Sequence, residues 1–292
     1  MADNITLSSS TRSNLLSLTR TTDLIGRTQD RLSTGKAVNS AIDDALSFFK
    51  ARNLNSRASD LATIKNGISE GIQVLTTATD ALENIEDVLK QMKAIAASAK
   101  ATASADSTTR AKLSSQFNEL RSQIDHLTND ASYGGVNLIK SGADTLTVKF
   151  SESPSASDRK LVISGIASNA SSAVGTAGGL GVASAVNAGS WAAADASTYT
   201  AVIDNSINQI DSALTTIRDT AQTFGTNASM LQIREDFTST LINTLEGGAS
   251  DLVNADLNKE SANMLSLQTR QQLGTISLSI AQQSEQAVLR LF

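Results

Sequence analysis

The chain has 292 residues, is 40% hydrophobic but only 3% aromatic, carries a formal net charge of −5, and contains one proline and no cysteine. The acidic balance argues against a general nucleic-acid binder, which shows a basic face. No apolar run reaches the ~18 residues of a membrane span, and one His without Cys cannot build a zinc site. Scarce proline and scarce aromatics point instead to long uninterrupted helices packed through Leu, Ile, Val and Ala.

Residues 1–10 are polar and start no clear element. Met1 to Thr6 lacks a basic stretch followed by an apolar one, so no cleaved secretory signal peptide is expected. Leu15, Leu18, Ile25 and Leu32 mark a narrow helical stripe over Thr11 to Leu32. Ser33 to Lys36 reads as a break, with Gly35 free to take a positive φ. Ser40 is the expected N-cap of the next helix, with Asp43 at its third position. Phe48, Phe49 and Leu54 carry a helical face toward Asp60.

The organising stretch runs from Leu61 to Ala99. Leu61, Ile68, Leu75, Leu82, Leu89 and Ala96 fall in one heptad column; Ile64, Gly71, Ala78, Ile85, Met92 and Ala99 fall in a second. A helix of ~40 residues at 1.5 Å per residue is ~60 Å long, and Ile72, Val88 and Ile95 widen its stripe for more than one partner. Ala101 to Thr109 reads as a turn. Leu113, Phe117, Leu120, Ile124 and Leu127 form a second seam, expected to return antiparallel and to end at Asn129–Asp130 and Tyr133–Gly135.

The period then changes. Leu146, Val148 and Phe150 alternate, as do Leu161 and Ile163, and Ile166 follows Gly165; Ser153–Ser155 lies between, which reads as a hairpin. Residues 167–200, rich in Ala, Ser and Gly, are expected to be a loop or small surface ornament. A third seam runs Ile203, Ile207, Ile210, Leu214, Ile217, Ala221, Phe224, Ala228 and Leu231, extends through Leu241 and Leu245, and is expected to end at Gly247–Gly248. The last helix is expected from about Asp251, with Leu273, Ile276, Ile280, Ala287 and Leu291 as its seam and Gly274 as a local weakness.

These elements predict a mainly α fold: an elongated helical rod or coiled-coil bundle with a small β-hairpin region and paired terminal helices. The rod core is assigned to Leu61, Ile68, Leu75, Leu82, Leu89, Leu120, Ile124, Ile210, Leu214 and Ile217. The end segments have narrow stripes and no third element of their own, so they are expected to need partners from other chains. Catalytic machinery is not visible. His126 sits on the polar side of its helix, and a general base needs a partner in reach. The glycine-rich run Gly175 to Gly181 follows no strand–helix unit, and Asp43–Asp44 reads as helix-start capping rather than a cation site. No cofactor or metal is expected.

The residues from Arg31 to Ala45 (RLSTGKAVNSAIDDA), with Asn39, Asp43 and Asp44 as signature positions, resemble the N-terminal signature of bacterial flagellin. Tyr133–Leu138 (YGGVNL) and the ending Ala287–Phe292 (AVLRLF) are similar to the same family. The resemblance covers roughly 1–140 and 200–292, in a short form without the large outer domains. It implies a subunit that polymerises with itself, leaves the cell through the flagellar type III export apparatus with an export chaperone, and meets filament cap and hook–filament junction proteins. No nucleic acid and no membrane insertion are implied. The expected layout is an inner-tube arm at 1–35, rod segments at 36–166 and 201–250, a variable surface segment at 167–200, and a second inner-tube arm at 251–292. The alternatives are a hook–filament junction protein, whose segment matching Ser40 to Ala45 carries prolines absent here, and a coiled-coil binding or signalling module. The resemblance also aligns Leu89 to Ala96 with a stretch sensed by the flagellin-binding Toll-like receptor. Gln91, Lys93, Ile95 and, on the next helix, Gln116 occupy that surface, with Gln91 where the family has Arg and Gln116 where it has Glu.

Overall fold

A computed structural model describes residues 9–103, 105–151, 159–170, 174–175, 179–185 and 191–289. Its elements are α1 (Ser9–Thr34), α2 (Ala45–Ala101), α3 (Ser107–Asp130), β1 (Thr145–Lys149), β2 (Lys160–Ser164), the two-residue strands β3 (Val174–Gly175) and β4 (Gly179–Leu180), α4 (Ala196–Val253) and α5 (Leu257–Leu289). The expected helix–hairpin–helix order is present. Two compact units emerge: one from residues 1–58 with 243–292, the other from 59–242. Helices α2 and α4 each contribute residues to both.

The 59–242 unit has the larger core. Ile68, Leu75, Leu82, Leu89, Ile85 and Met92 of α2 are buried with Phe117 and Ile124 of α3 and with Ile203, Ile210, Ile217, Phe224 and Leu231 of α4. Leu61 and Leu214 are buried as well, and Leu120 packs partly buried against the cluster. Polar pairs flank the seam at heptad intervals: Arg218–Glu86 (2.8 Å), Lys93–Asp211 (2.5 Å) and Lys100–Asp204 (2.5 Å). The numbers step by seven in opposite directions, so α2 and α4 are antiparallel in one register. Lys65 Nζ donates to Ser239 Oγ (3.3 Å) in the same register.

The hairpin pairs Leu146 with Ile163 and Val148 with Leu161, placing alternate side chains on the core. It lies close to α2 because Gly71 has no side chain: a Cβ there would sit 2.7 Å from Val148 Cγ2. Gly165 permits a closer approach still, since a Cβ would fall 2.5 Å from the Leu138 carbonyl oxygen.

Residues 167–200 depart from the expected surface ornament. Ala167, Ser168, Ala170, Leu180, Val182, Ala185 and Trp191 are buried, and Trp191 packs on Phe117 with ring centroids 4.9 Å apart. The segment has few large apolar groups, and its backbone is held also by polar side chains of α3. Arg110, fully buried, donates to the carbonyls of Trp191 (2.9 Å), Ala193 (2.9 Å) and Ala103 (2.6 Å), with its guanidinium 3.9 Å over the Tyr199 ring. Arg121 donates to the carbonyls of Val182 and Ala170. Asn118 Oδ1 accepts from the Ser184 hydroxyl and the Ala185 N–H, and Asp125 Oδ1 accepts from the Ala170 N–H. Among the expected tip residues, Ser153–Ser155, Thr176–Gly178 and residues 186–190 lie outside the described residues.

Several boundaries differ from the expected ones for local reasons. Asp44, not Ser40, caps α2: its Oδ1 accepts from the Leu46 and Ser47 N–H groups. Gly247–Gly248 does not stop α4, which runs to Val253. Gly248 faces Leu54, with 3.8 Å between a Cβ built there and Leu54 Cδ1. The break comes at residues 254–256, and Asp256 then caps α5 through the Asn258 and Lys259 N–H groups.

Candidate functional site

In the terminal unit, three contacts place α1 against α5. Asn14 Nδ2 donates to Ser277 Oγ (3.4 Å), Arg31 Nη1 pairs with Glu260 Oε1 (3.1 Å), and a Cβ on Gly274 would lie 3.1 Å from Leu18 Cδ1. Numbers rise on one helix as they fall on the other, so the pair is antiparallel. The covered positions repeat at 3 and 4: Thr11, Asn14, Leu18, Thr21, Ile25, Thr28 and Leu32 on α1; Glu260, Met264, Leu267, Gln271, Gly274, Leu278 and Ala281 on α5. This is a heptad seam, but a polar and shallow one. Gly274 is thus a contact position where Leu18 closes on the α5 backbone, not a mere weak point.

Large apolar side chains lie on the outward faces as well. Leu15 and Leu16 are 48% and 58% exposed; Leu273, Ile276 and Ile280 are 61%, 56% and 59% exposed. Leu24 and Leu265 are exposed too. Of the seam predicted from sequence, Leu18, Ile25 and Leu32 face the intrachain partner, whereas Leu15, Leu273, Ile276 and Ile280 do not. Leu291 lies outside the described residues. The intrachain α5 face escapes sequence reading because Glu, Gln and Gly occupy three of its seven positions; its only signal is the unbroken 3–4 spacing.

The signature residues form the connection between α1 and α2. Gly35 ends α1 at φ +70°, donating its N–H to the Arg31 carbonyl (2.9 Å). The chain then pairs with the α4–α5 junction. Ala37 and Val38 donate to the Val253 carbonyl, and Ala255 donates to that of Gly35. Asp43 Oδ2 accepts from the Asn39 N–H, the Ser40 N–H and the Ser40 hydroxyl. The Ser40 N–H and then the Asn39 N–H hold the Asp43 carboxyl below its ordinary value. The Ser47 hydroxyl and N–H do the same for Asp44. Asn39 Nδ2 also donates to Thr34 Oγ1 (3.2 Å). These carboxylates are spent on backbone and hydroxyl donors, as capping predicts; no cluster of three His, Cys, Asp or Glu able to hold a metal occurs among the described residues.

The receptor-like positions lie on α2 and α3. Gln91 and Gln116 are exposed, and Ile95 is half-buried against the core. Lys93 is not available as a lone cation, because it pairs with Asp211.

Residues 5–144 match the family model of the bacterial flagellin N-terminal helical region, and residues 207–292 match that of the bacterial flagellin C-terminal helical region. The chain belongs to the bacterial flagellin family. It is 31% identical over 278 residues to flagellin FljO of Caulobacter vibrioides, covering 95% of this chain and 94% of that protein. It is 29% identical over 291 residues to the flagellin of Brucella melitensis, covering 99% and 98%. A solved structure named as a flagellar hook-associated protein from Vibrio parahaemolyticus shares the fold, with TM-score 0.60 and 17% identity over 73% of this chain and all of that one. A flagellin is a structural subunit of the flagellar filament, which lies outside the cell, and it polymerises with itself.

Proposed function

We propose that the outward faces of α1 and α5 are the seams along which copies of this flagellin meet to form the core of the filament. The observation that carries the reading is a surplus of exposed apolar residues. The paired faces mix Leu18, Ile25, Leu32, Met264, Leu267 and Leu278 with Thr, Asn, Gln and Glu, while Leu15, Leu24, Leu273, Ile276 and Ile280 remain exposed. Two helices joined by so mixed a seam bury little against ~1–2 kcal/mol of backbone entropy per residue; packing by neighbouring copies supplies the remainder. In this reading the monomer travels through the flagellar type III export apparatus with an export chaperone and without a cleaved signal peptide. It is then added beneath a cap protein onto hook–filament junction proteins.

The test is the full chain carrying Leu273→Ser, Ile276→Ser and Ile280→Ser. The 59–242 core is untouched, so the melting transition of the monomer is expected to persist, while sedimentation and negative-stain microscopy show no filaments in sulfate that polymerises the parent. Filaments of ordinary length from the triple variant would refute the assignment. Hydrogen exchange gives a second readout: in the monomer, protection is expected over Leu61 to Ala99 and almost none before Gly35, with the latter gained on assembly.

A further inference from the structure

Two other sets of large apolar residues are exposed, on neither α1 nor α5. Ile42, Leu46 and Phe49, at the start of α2, are 95%, 66% and 56% exposed. Met230, Ile233 and Phe237, on α4, are 43%, 70% and 60% exposed. Leu46 and Phe49 are three apart on α2, with Ile42 in the turn just before it, and Met230, Ile233 and Phe237 are spaced 3 and 4 on one face of α4. Neighbouring positions on the inward faces, Ala51, Leu54 and Ala58 in one case and Leu231 and Thr238 in the other, are buried or half-buried. The outward sets are therefore surplus to the chain's own core, and clustered exposed residues of this size mark interaction sites.

The charges beside them are opposite. Lys50 and Arg52 flank the first set, and the acids nearby, Asp43 and Asp44, are turned into their own loop. Glu235 and Asp236 flank the second set, where Arg234 is drawn aside over the Phe150 ring at 5.1 Å. We propose that Ile42, Leu46 and Phe49 of one copy dock on Met230, Ile233 and Phe237 of the next, with Lys50 and Arg52 facing Glu235 and Asp236. Two different patches make a heterologous contact. Such a contact propagates into an open helical array instead of closing a dimer, which is the symmetry a filament needs. The inference rests on the reading that this flagellin polymerises, and adds an intersubunit contact independent of the terminal seams.

The chain has no cysteine, so engineered thiols report unambiguously. The full-length double variant Leu46→Cys, Ile233→Cys is polymerised, oxidised and run on a non-reducing denaturing gel beside both single variants. A ladder of dimers, trimers and higher species from the double variant, absent from each single variant and from dilute monomer, is the expected result. A dimer from Leu46→Cys alone would show like patches meeting and overturn the pairing. Filaments in which both thiols stay reactive to a maleimide would overturn it while leaving polymerisation standing, the surface then being turned to solvent or another protein. An unmodified chain that never polymerises would overturn both readings. As an independent arm, Arg52→Glu is expected to raise the critical concentration ~5-fold, and Asp236→Lys in the same chain to restore it; equal concentrations in all three would overturn the contact.

Discussion

Two glycines on one helix carry opposite expectations. Gly67 and Gly71 both lie inside α2, where Gly costs ~1 kcal/mol relative to Ala. A Cβ on Gly67 meets nothing within 4 Å, whereas one on Gly71 meets Val148 at 2.7 Å and Leu231 at 3.3 Å. Gly67→Ala should therefore stabilise the monomer by up to ~1 kcal/mol. Gly71→Ala should be net destabilising by ~1 kcal/mol, because overpacking of ~1–3 kcal/mol exceeds the helix gain. Urea melts of the two variants check the sign. Arg110 is the other decisive residue. Arg110→Leu removes donors from three carbonyls of the 103 and 191–193 backbone, and each unpaired buried acceptor costs ~1–3 kcal/mol. The expected loss is ~3 kcal/mol or more, with a red-shifted and quenchable Trp191 emission as the chain around it loosens. An unchanged spectrum and melt would show that Arg110 does not hold the segment. Arg110 stands one heptad before Phe117 in a core column, so its burial was legible as a charge in an apolar register. Two of its carbonyl partners, some 80 residues away, were not.

At the scale of the element, the helices are begun by aspartates. Asp44, Asp106 and Asp195 each accept from N–H groups in the first turn of α2, α3 and α4. Their carboxyls are held below the ordinary value of 3.8, chiefly by the hydroxyls of Ser47, Thr109 and Ser197 respectively. A carboxyl with a lowered folded value binds protons more readily in the unfolded chain. Its contribution is therefore present above the ordinary value and is lost as pH falls through the lower folded one. The monomer's melting temperature should hold from pH 7 to about 4 and fall below that. Asp106→Asn with Asp195→Asn should flatten the acid fall, because Asn caps comparably without titrating. Circular dichroism melts across that range decide it; an identical acid slope in both chains would remove the caps as its cause. Glu86 shares the direction, held down first by Arg218, and belongs to the α2–α4 ladder.

At the scale of the whole molecule, surface and charge govern association. With a net charge of −5, the subunits should assemble more readily when salt screens repulsion or sulfate favours burial. The resemblance to receptor-sensed flagellins implies that the face carrying Gln91, Lys93, Ile95 and Gln116 would meet the flagellin-binding Toll-like receptor. Gln91 and Gln116 are exposed, and Lys93 is engaged by Asp211, so that face lacks the bidentate donor an Arg would present. Charge-assisted hydrogen bonds contribute ~1.5–3 kcal/mol each, and loss of two corresponds to ~100-fold or more in affinity. We predict a poor agonist in a receptor-reporter assay, recovering in Gln91→Arg with Gln116→Glu. Full potency of the unmodified chain would refute this.

Apolar periodicity alone determined the α2, α3 and α4 cores and the presence of the hairpin. Leu61 to Ala99 and Ile203 to Leu231 repeat a local pattern whose burial requires only that a like helix lie alongside. The tertiary structure decided which faces of α1 and α5 meet, since Thr, Asn, Gln and Gly at seam positions carry no hydrophobic signal and only the packed partner selects them. It also decided that the described residues between 167 and 193 are packed. Apart from Trp191 that stretch contributes chiefly backbone carbonyls and N–H groups, and every residue type carries the same carbonyl. Which ones Arg110, Arg121 and Asn118 reach is set by the folded path of the chain, because a hydrogen bond between distant residues depends on where the backbone goes and leaves no period in the sequence.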